Sequence, residues 1–302
     1  MGSYQSNQTW QEIQSFLPLR NRLTEDIHLK EEYVYHNDIQ IHCDVYQPAY
    51  FKGTLVLFHG ISGNGRLMSF LAVPFYRLGY RVICPDLPLY GYTETVKSVT
   101  YQDWLDCAKE VIDHYKIENT FLFGISLGGM LVYQLGDLCK DINGVITTCL
   151  IDLNDETICS EILNGTMADR WLLSNSVPKL FRKKRMQIDS IIRLEGICNN
   201  EEILDKMKQD KHAAGSKVTL DFLRTLFHPN IPKPETYKVP ILLLHPEKDQ
   251  WIDFSYSQNF YQRIQAKKRM KLIEGAGHFP IEAIGLGQLQ LEMLKFIKEN
   301  SR

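Results

Sequence analysis

The sequence lacks a dense excess of charge of one sign. Its 302 residues carry a formal net charge of −2, from 34 Lys and Arg residues against 36 Asp and Glu residues. This balance provides no field that would steer the chain onto nucleic acid, so we expect a small-molecule partner and no nucleic acid. The densest cluster of charge is Arg-Lys-Lys-Arg at 182–185. We expect it to be a solvated face, with contact to an anionic surface or substrate as the alternative.

Long apolar runs and cysteine pairs are also missing. No stretch reaches the roughly 18 to 20 apolar residues of a membrane span, and the amino-terminal part is too polar for a secretory signal. The seven cysteines are an odd number and widely spread, with no Cys-x-x-Cys pair and no histidine at zinc-finger spacing. We therefore expect a cytoplasmic protein with reduced thiols, no metal site and no stable membrane insertion.

Strand-like apolar runs alternate with helix-length segments along most of the chain. Because a parallel crossover needs a dozen or more residues, this alternation predicts a mostly parallel, doubly wound α/β sheet. A hairpin at 32–36 and 39–46 comes first. Further strands are predicted over 54–58, 81–84, 120–123, 144–150, 239–245 and 269–273, and helices over 66–78, 101–115, 127–139, 255–265 and 283–299.

One interval interrupts this alternation. Residues 152–237 contain no clear buried strand, although 200–211 and 218–227 have helix-like patterns. Because an excursion of this length is too long for a plain loop, we expect an inserted helical cap that roofs the site. The predicted division is a core of 1–151 and 238–302 with a cap of 152–237. Residues 10–30 are predicted to form an amphipathic helical arm or a loose lead-in.

A Gly-x-Ser-x-Gly pentapeptide centred on Ser126 directly follows the apolar run 121–123. A serine at such a strand-to-helix turn has a strained backbone that exposes its hydroxyl at the top of the sheet. Glycines two residues before and after it leave room for the neighbouring strand and helix. Ser126 is therefore the predicted nucleophile.

A serine hydroxyl needs a base to accept its proton, and His278 is the predicted base. It lies in a Gly-Ala-Gly-His-Phe-Pro loop at 275–280, after the last predicted strand and before the last helix. Its alternative role is that of a loop histidine bonded to backbone. His245, which ends a strand, is the second candidate for the base.

The base must itself be held in one tautomer by a carboxylate. Asp249 follows the strand at 239–245 by a few residues and lies between Ser126 and His278 in the sequence. We predict that Asp249 orients His278. The rival carboxylates are Asp253, Glu247 and Asp152.

A tetrahedral intermediate needs hydrogen-bond donors directed at its oxyanion. The N–H of Leu127, at the start of the helix after Ser126, is one predicted donor. The N–H of Ile61 is the other, because three glycines in the loop 59–65 allow the backbone to approach a ligand closely. A phosphate cradle is the alternative for this loop, but no Gly-Lys-Ser/Thr ending follows it.

These four motifs, in this order and at these distances, resemble the α/β-hydrolase superfamily, particularly its lysophospholipase, monoacylglycerol lipase and serine-aminopeptidase-like branch. The resemblance covers about 32–151 and 238–299 and implies a sheet of about eight strands with a Ser126, Asp249, His278 triad. Leu89 stands where the family usually has the first glycine of Asp-x-x-Gly-x-Gly-x-Ser, and Pro246 stands where glycine is common. Both departures bear on substrate more than on catalysis.

The predicted function is a serine-dependent carboxylic ester hydrolase that works through an acyl-enzyme, on an apolar or bulky acyl ester and without a cofactor. Enzymatic alternatives with the same triad are a lactone or macrocyclic ester hydrolase, a thioesterase and a peptidase. Outside enzymes, the alternative is a ligand-binding receptor on the same fold. Predicted substrate contacts are His59, Tyr90, Trp171 and Trp251, although most aromatic side chains of the cap are expected to form its own core.

Overall fold

A computed structural model describes residues 2–95, 98–165, 173–174 and 177–302. These residues form a mostly parallel sheet of nine strands, eight of them in the order β1-β2-β4-β3-β6-β7-β10-β11, with the two-residue β5 paired to β2. Only the pairs made by β2 with β1, β4 and β5 are antiparallel. The α/β-hydrolase architecture predicted from the sequence is confirmed.

The strands form where apolar and β-branched residues cluster, and the central strands β3 and β6 are buried at every position. The two outer strands β1 and β11 are only partly buried. The sheet strands are β1 (Leu29–His36), β2 (Ile39–Tyr46), β3 (Thr54–Phe58), β4 (Arg81–Pro85), β5 (Glu94–Thr95), β6 (Thr120–Gly124), β7 (Ile142–Thr147), β10 (Ile241–Pro246) and β11 (Lys268–Ile273).

Helices flank the sheet and follow the predicted segments closely. The longest crossover helix begins at a capping box, in which the Thr100 hydroxyl accepts from the Asp103 N–H and the Asp103 carboxylate accepts from the Thr100 N–H. The helices outside the long excursion are α1 (Gln8–Phe16), α2 (Ser69–Arg77), α3 (Tyr101–Tyr115), α4 (Leu127–Leu138), α9 (Phe254–Arg263) and α10 (Ala283–Asn300).

Residues 152–237, called the cap segment below, connect β7 to β10. The cap segment contains helices α5 (Glu156–Ile162), α6 (Lys179–Arg182), α7 (Glu201–Gln209) and α8 (Leu220–Leu226). It also contains an antiparallel pair of short strands, β8 (Arg185–Gln187) and β9 (Lys217–Thr219). The sequence predicts no clear buried strand in this interval. These two strands are only three residues long and β8 has no buried residue, so they carry too little periodicity to be recognised.

The amino-terminal arm is ordered rather than a loose lead-in. The Asn7 side chain accepts from the Trp10 N–H at the start of α1, and Trp10 and Ile13 are buried. Helix α1 packs against α7 of the cap segment, where Glu12 pairs with Lys206 at 2.7 Å. Among the described residues, no helix combines the length and apolarity needed to cross a bilayer.

Candidate active site

The backbone at Ser126 makes a sharp turn between β6 and α4, with φ 56° and ψ −130°. L residues rarely adopt this region, so the surrounding structure must hold it. The Ser126 N–H donates to Thr148 Oγ1 at 2.9 Å. A Cβ added at Gly124 would lie 1.9 Å from the Gly128 carbonyl oxygen, and one added at Gly128 would lie 2.7 Å from the Phe58 carbonyl oxygen. Both glycines are therefore required by close backbone packing.

His278 and Asp249 are joined by a short hydrogen bond. His278 Nδ1 lies 2.7 Å from Asp249 Oδ2, and both side chains are buried. The other carboxylate oxygen, Asp249 Oδ1, accepts from the N–H groups of Trp251 and Ile252, each at 2.9 Å. Burial alone would raise the pKa of Asp249, but His278 and these two amides hold the pKa of that carboxyl below its usual value. Asp249 is thus held as an ionised acceptor.

The remaining ring nitrogen of His278 faces no acceptor among the described residues. His278 Nε2 is buried and has no hydrogen-bond partner. Ser126 and His278 line one cavity of about 30 Å³. Since a buried polar atom without a partner is costly, this nitrogen is kept available for a group that enters the cavity. The other lining residues are mostly apolar: His59, Gly60, Ile61, Gly63, Leu67, Met68, Ile125, Ile197, Met207 and Phe279.

The loop after β3 lies directly against the Ser126 turn. A Cβ added at Gly60 would lie 2.8 Å from Ser126 Cβ and 3.3 Å from the Leu127 backbone nitrogen. Ile61, the next residue, is buried and lines the cavity. Ile61 thus lines the same cavity as Ser126, and the Leu127 nitrogen lies next to Gly60. Their role as oxyanion donors stays a prediction.

His59 lines the cavity, but both of its ring nitrogens bond to the protein. His59 Nε2 accepts from the Leu87 N–H at 2.9 Å, and Nδ1 lies 2.7 Å from the Gly60 carbonyl oxygen. Burial lowers the pKa of His59 to about 4, so the ring is neutral near pH 7. This pattern holds the loop that contains Gly60 and Ile61 in place.

Two other predicted substrate contacts, Tyr90 and Trp251, do not line the cavity. Tyr90 is buried and packs edge-to-face against His59, at 5.5 Å between ring centroids. Trp251 packs against His278 at 4.8 Å, and its Nε1–H donates to the Arg193 carbonyl oxygen at 2.6 Å. Trp171 lies outside the described residues. Tyr90 and Trp251 therefore contact residues of the site, and their contact with substrate stays a prediction.

Comparison with known proteins identifies the family. Residues 50–281 match the family model described as serine aminopeptidase, S33. The chain belongs to this family. Its members share the α/β-hydrolase fold found here.

The individual proteins that this chain resembles either match only part of it or have low sequence identity. A thermostable monoacylglycerol lipase from Bacillus sp. (strain H-257) is 30% identical over 95 residues, which are 30% of this chain and 38% of that protein. The matched stretch thus covers well under half the length of this curated relative. A soluble variant of the Saccharomyces cerevisiae monoglyceride lipase, solved with a substrate analog, has a TM-score of 0.74 at 14% identity, covering 94% of this chain and 98% of that chain. The Paleococcus ferrophilus monoacylglycerol lipase has a TM-score of 0.67 at 16% identity, covering 86% and 99%.

The rival carboxylates of this S33-family protein bond to groups that do not line the cavity. Asp253 Oδ1 accepts from the Ser255 N–H and caps α9, while Glu247 accepts from the Gly275 N–H. Asp152 accepts from Asn154. His245, the second candidate for the base, is buried with Nε2 4.0 Å from Asp249 Oδ2, and burial lowers its pKa to about 4. It does not line the cavity.

The two departures from the family pattern have local structural consequences. Leu89 has a φ of 81°, which is strained for a residue with a side chain and explains why the family usually has glycine there. Leu89 is partly buried and packs against the core. Pro246 is the last residue of β10.

A buried polar cluster beside the site was not predicted. Asp86, at the end of β4, accepts from the Tyr4 hydroxyl at 3.0 Å, the Gly65 N–H at 2.6 Å and the Tyr92 N–H at 2.8 Å, and its Oδ2 lies 2.9 Å from His42 Nδ1. Because Gly65 ends the loop 59–65, Asp86 fixes that loop at its far end. No motif in the sequence marks these contacts, since they join residues from four separate parts of the chain.

The same cluster contains a possible set of metal ligands. Ligand atoms of Glu31, His42 and Asp44 lie within 4.8 Å of one another. However, Arg66 binds both carboxylates, through Nη2 to Glu31 at 2.6 Å and Nε to Asp44 at 2.5 Å. The positively charged Arg66 guanidinium already binds the carboxylates that a metal cation would need as ligands. Glu31, Asp44 and Arg66 therefore form an ion-pair network rather than a metal centre.

Proposed function

We propose that the chain is a serine-dependent carboxylic ester hydrolase that works through an acyl-enzyme. The observation that supports this most directly is the buried His278, with Nδ1 bonded to Asp249 and Nε2 without a partner beside the cavity that Ser126 lines. In this proposal Ser126 is the nucleophile, His278 the general base and Asp249 the residue that orients it.

The steps follow from this arrangement. Ser126 Oγ attacks the ester carbonyl carbon and its proton moves to His278 Nε2, while the carbonyl oxygen becomes an oxyanion that accepts from the N–H groups of Ile61 and Leu127. When the intermediate collapses, the C–O bond to the alcohol breaks and His278 returns the proton to the leaving alkoxide. His278 then takes a proton from water as the water oxygen attacks the acyl carbon. The bond between that carbon and Ser126 Oγ breaks, the acid leaves, and His278 returns the proton to Ser126 Oγ. Each step uses groups of the chain itself and needs no cofactor.

The cavity lining supports an apolar acyl group as the substrate feature. Leu67, Met68 and Phe279 come from the proposed core, whereas Ile197 and Met207 come from the cap segment. We propose that 1–151 and 238–302 form the catalytic core and that 152–237 is a cap inserted over the site. We propose an ester substrate of the monoacylglycerol class, because one curated relative and one similar solved structure are monoacylglycerol lipases by name.

The cysteines bear on the compartment. Seven free thiols favour a reducing compartment, which we propose to be the cytoplasm.

Covalent labelling combined with turnover tests this function. We expect a fluorophosphonate probe to label wild type, Ser126→Ala to abolish labelling and turnover, and wild type to hydrolyse p-nitrophenyl esters of graded acyl length. Ser69→Ala is a matched control because Ser69 is equally buried but lies outside the cavity, on α2. Labelling without release from any ester, lactone, thioester or peptide substrate would instead support the receptor alternative. Unchanged turnover in Ser126→Ala would remove Ser126 from the mechanism.

A further inference from the structure

The cap segment carries a basic and apolar surface that the proposed catalysis does not use. Residues 179–185, Lys-Leu-Phe-Arg-Lys-Lys-Arg, are called the basic–apolar segment here. The side chains of Leu180 and Phe181 are 87% and 54% exposed. Single exposed apolar residues are common on protein surfaces, but two neighbours within a run of five cations are a specific combination.

The backbone of this segment is fixed, so the exposure of Leu180 and Phe181 does not come from an unattached tail. Arg182 Nε donates to the Val177 carbonyl oxygen at 3.0 Å. The Leu220 N–H donates to the Lys184 carbonyl oxygen at 3.0 Å, and Arg185 pairs with Thr219 between β8 and β9. The fold therefore presents these apolar side chains outward from an anchored turn.

Three lysines of the segment have no acidic partner among the residues that the structure describes. Lys179, Lys183 and Lys184 are exposed and form no ion pair with another described residue. The acidic residue at the start of the adjacent helix α8, Asp221, is paired with Arg224 at 3.0 Å.

This combination distinguishes between the kinds of anionic partner. A nucleic acid groove would need an extended positive field, which the chain lacks. An anionic bilayer surface needs only a local set of cations for its headgroups and a few apolar side chains that enter the boundary between headgroups and acyl chains. We propose that residues 179–185 dock the protein on the surface of anionic lipid bilayers, with Leu180 and Phe181 inserted and Lys179, Lys183 and Lys184 bound to lipid phosphates.

Docking at this surface has a consequence for the site. The cap segment also supplies Ile197 and Met207 to the cavity lined by Ser126. If residues 179–185 hold the protein on a bilayer, the cap segment, which supplies part of the cavity lining, therefore lies next to the lipid. The docking itself does not depend on the catalytic proposal, because it can be measured on Ser126→Ala as well as on wild type.

Cosedimentation with lipid vesicles tests the proposal on the full chain. We expect binding at low salt to vesicles of phosphatidylcholine in which about a third of the lipid is phosphatidylglycerol, little binding to phosphatidylcholine alone, and loss of binding as salt rises. Lys183→Gln with Lys184→Gln should weaken the partition coefficient by about tenfold or more. These residues are outside the cavity, so turnover of a soluble ester should be unchanged and should report that the variant is folded.

Two further variants make the test specific. Lys295→Gln with Lys298→Gln removes the same charge from exposed positions on α10 and should leave vesicle binding intact. Leu180→Ser with Phe181→Ser keeps every cation and should still reduce binding. Equal binding to neutral vesicles, no binding to anionic vesicles, or an equal loss in both lysine pairs would overturn the proposal. Unchanged binding after loss of Leu180 and Phe181 would also overturn it and indicate a general polyanion site.

Discussion

Asp249 and Asp253 lie four residues apart, yet their carboxylates bond to different groups. Asp249 bonds to His278 Nδ1, whereas Asp253 caps α9 through the Ser255 N–H. Asp249→Asn places an amide next to that ring nitrogen and favours the wrong tautomer of His278, so kcat should fall by about four orders of magnitude. Steady-state ester hydrolysis, with a thermal melt to confirm folding, measures this effect.

Asp253→Asn is the matched control for that change. Asparagine caps a helix about as well as aspartate, so both stability and turnover should stay close to wild type. A mild loss of activity shared by the two variants would mean that neither carboxylate orients the base, and the acid of the relay would have to be sought elsewhere.

Single residues were predictable where a short local pattern marks them. Ser126 lies within a pentapeptide and His278 within a glycine-rich loop, so a few neighbours suffice to suggest each role. Tyr4 and Asp86 could not be paired in this way, because their contact spans 82 positions and neither lies in a recognisable motif. Only the folded chain brings them together.

Helix α7 contributes Met207 to the lining of the cavity, and this side chain should limit the length of the acyl group. The cavity has a volume of about 30 Å³, and Met207→Ala should enlarge it by removing most of the Met207 side chain. The ratio of kcat/KM for a long over a short acyl ester should rise by about tenfold. A series of p-nitrophenyl esters from acetate to laurate measures that ratio.

Leu204→Ala provides the comparison on the same helix. Leu204 is buried in the core cluster but does not line the cavity. Both truncations should cost about 2–5 kcal/mol of unfolding free energy, yet only Met207→Ala should change selectivity. An equal shift in both variants would attribute the effect to loosening of the cap segment.

The amino-terminal arm is an element with a long-range structural role. The Tyr4 hydroxyl donates to Asp86, its ring lies under the Arg66 guanidinium, and its N–H donates to Glu31. Tyr4→Phe removes one donor from a buried carboxylate and should lower the unfolding free energy by about 1.5–3 kcal/mol. Urea unfolding measures the loss, and Tyr50→Phe, at a side chain 92% exposed, should show none. Equal stability of Tyr4→Phe and wild type would show that the arm is not anchored at Asp86.

At the scale of elements, the sequence predicts the long periodic segments well and the short ones poorly. The predicted helix 101–115 matches α3, because its apolar positions recur with helical spacing and its cap is local. Strand β7 ends at Thr147 rather than at 150, because Thr148 turns to bind the Ser126 N–H. That boundary depends on a residue 22 positions away and is invisible to a local pattern.

At the scale of the whole molecule, the alternation of strands and helices was enough to predict the parallel sheet, since few other arrangements bury such strands. The hydrogen bond between Asp249 and His278, and the cavity that Ser126 and His278 both line, agree with the triad that the family resemblance implies. What could not be predicted is the charge network under the site, because its members come from the arm, the hairpin, the loop after β3 and the end of β4. Buried polar residues carry no periodic signal of their own.

This network should contribute to the pH dependence of the stability of the chain. Burial alone would lower the pKa of His42, but Asp86 and Glu31 raise it from 6.5 to about 10. Burial likewise opposes ionisation of Glu31, but His42, the Tyr4 N–H and Arg66 lower its pKa from 4.5 to about 2. These shifts in opposite directions mean that the ion pairs strengthen the folded state only while both groups are charged.

The sign of each effect follows from linkage between protonation and folding. The stabilisation from His42 is fully present below pH 6.5 and is lost as pH rises towards 10, whereas that from Glu31 is present above pH 4.5 and is lost as pH falls towards 2. Both stabilising effects are fully present only between pH 4.5 and pH 6.5, so the network contributes most to the free energy of unfolding in that range.

His42→Gln should therefore lower the Tm most in that window, and the gap from wild type should narrow as pH rises above 6.5. Thermal melts across the range measure the gap directly. His114→Gln, at an exposed position on α3, should give a small gap at every pH. A gap for His42→Gln that stays constant from acid to alkaline pH would mean that packing, and not the charge on His42, accounts for its contribution.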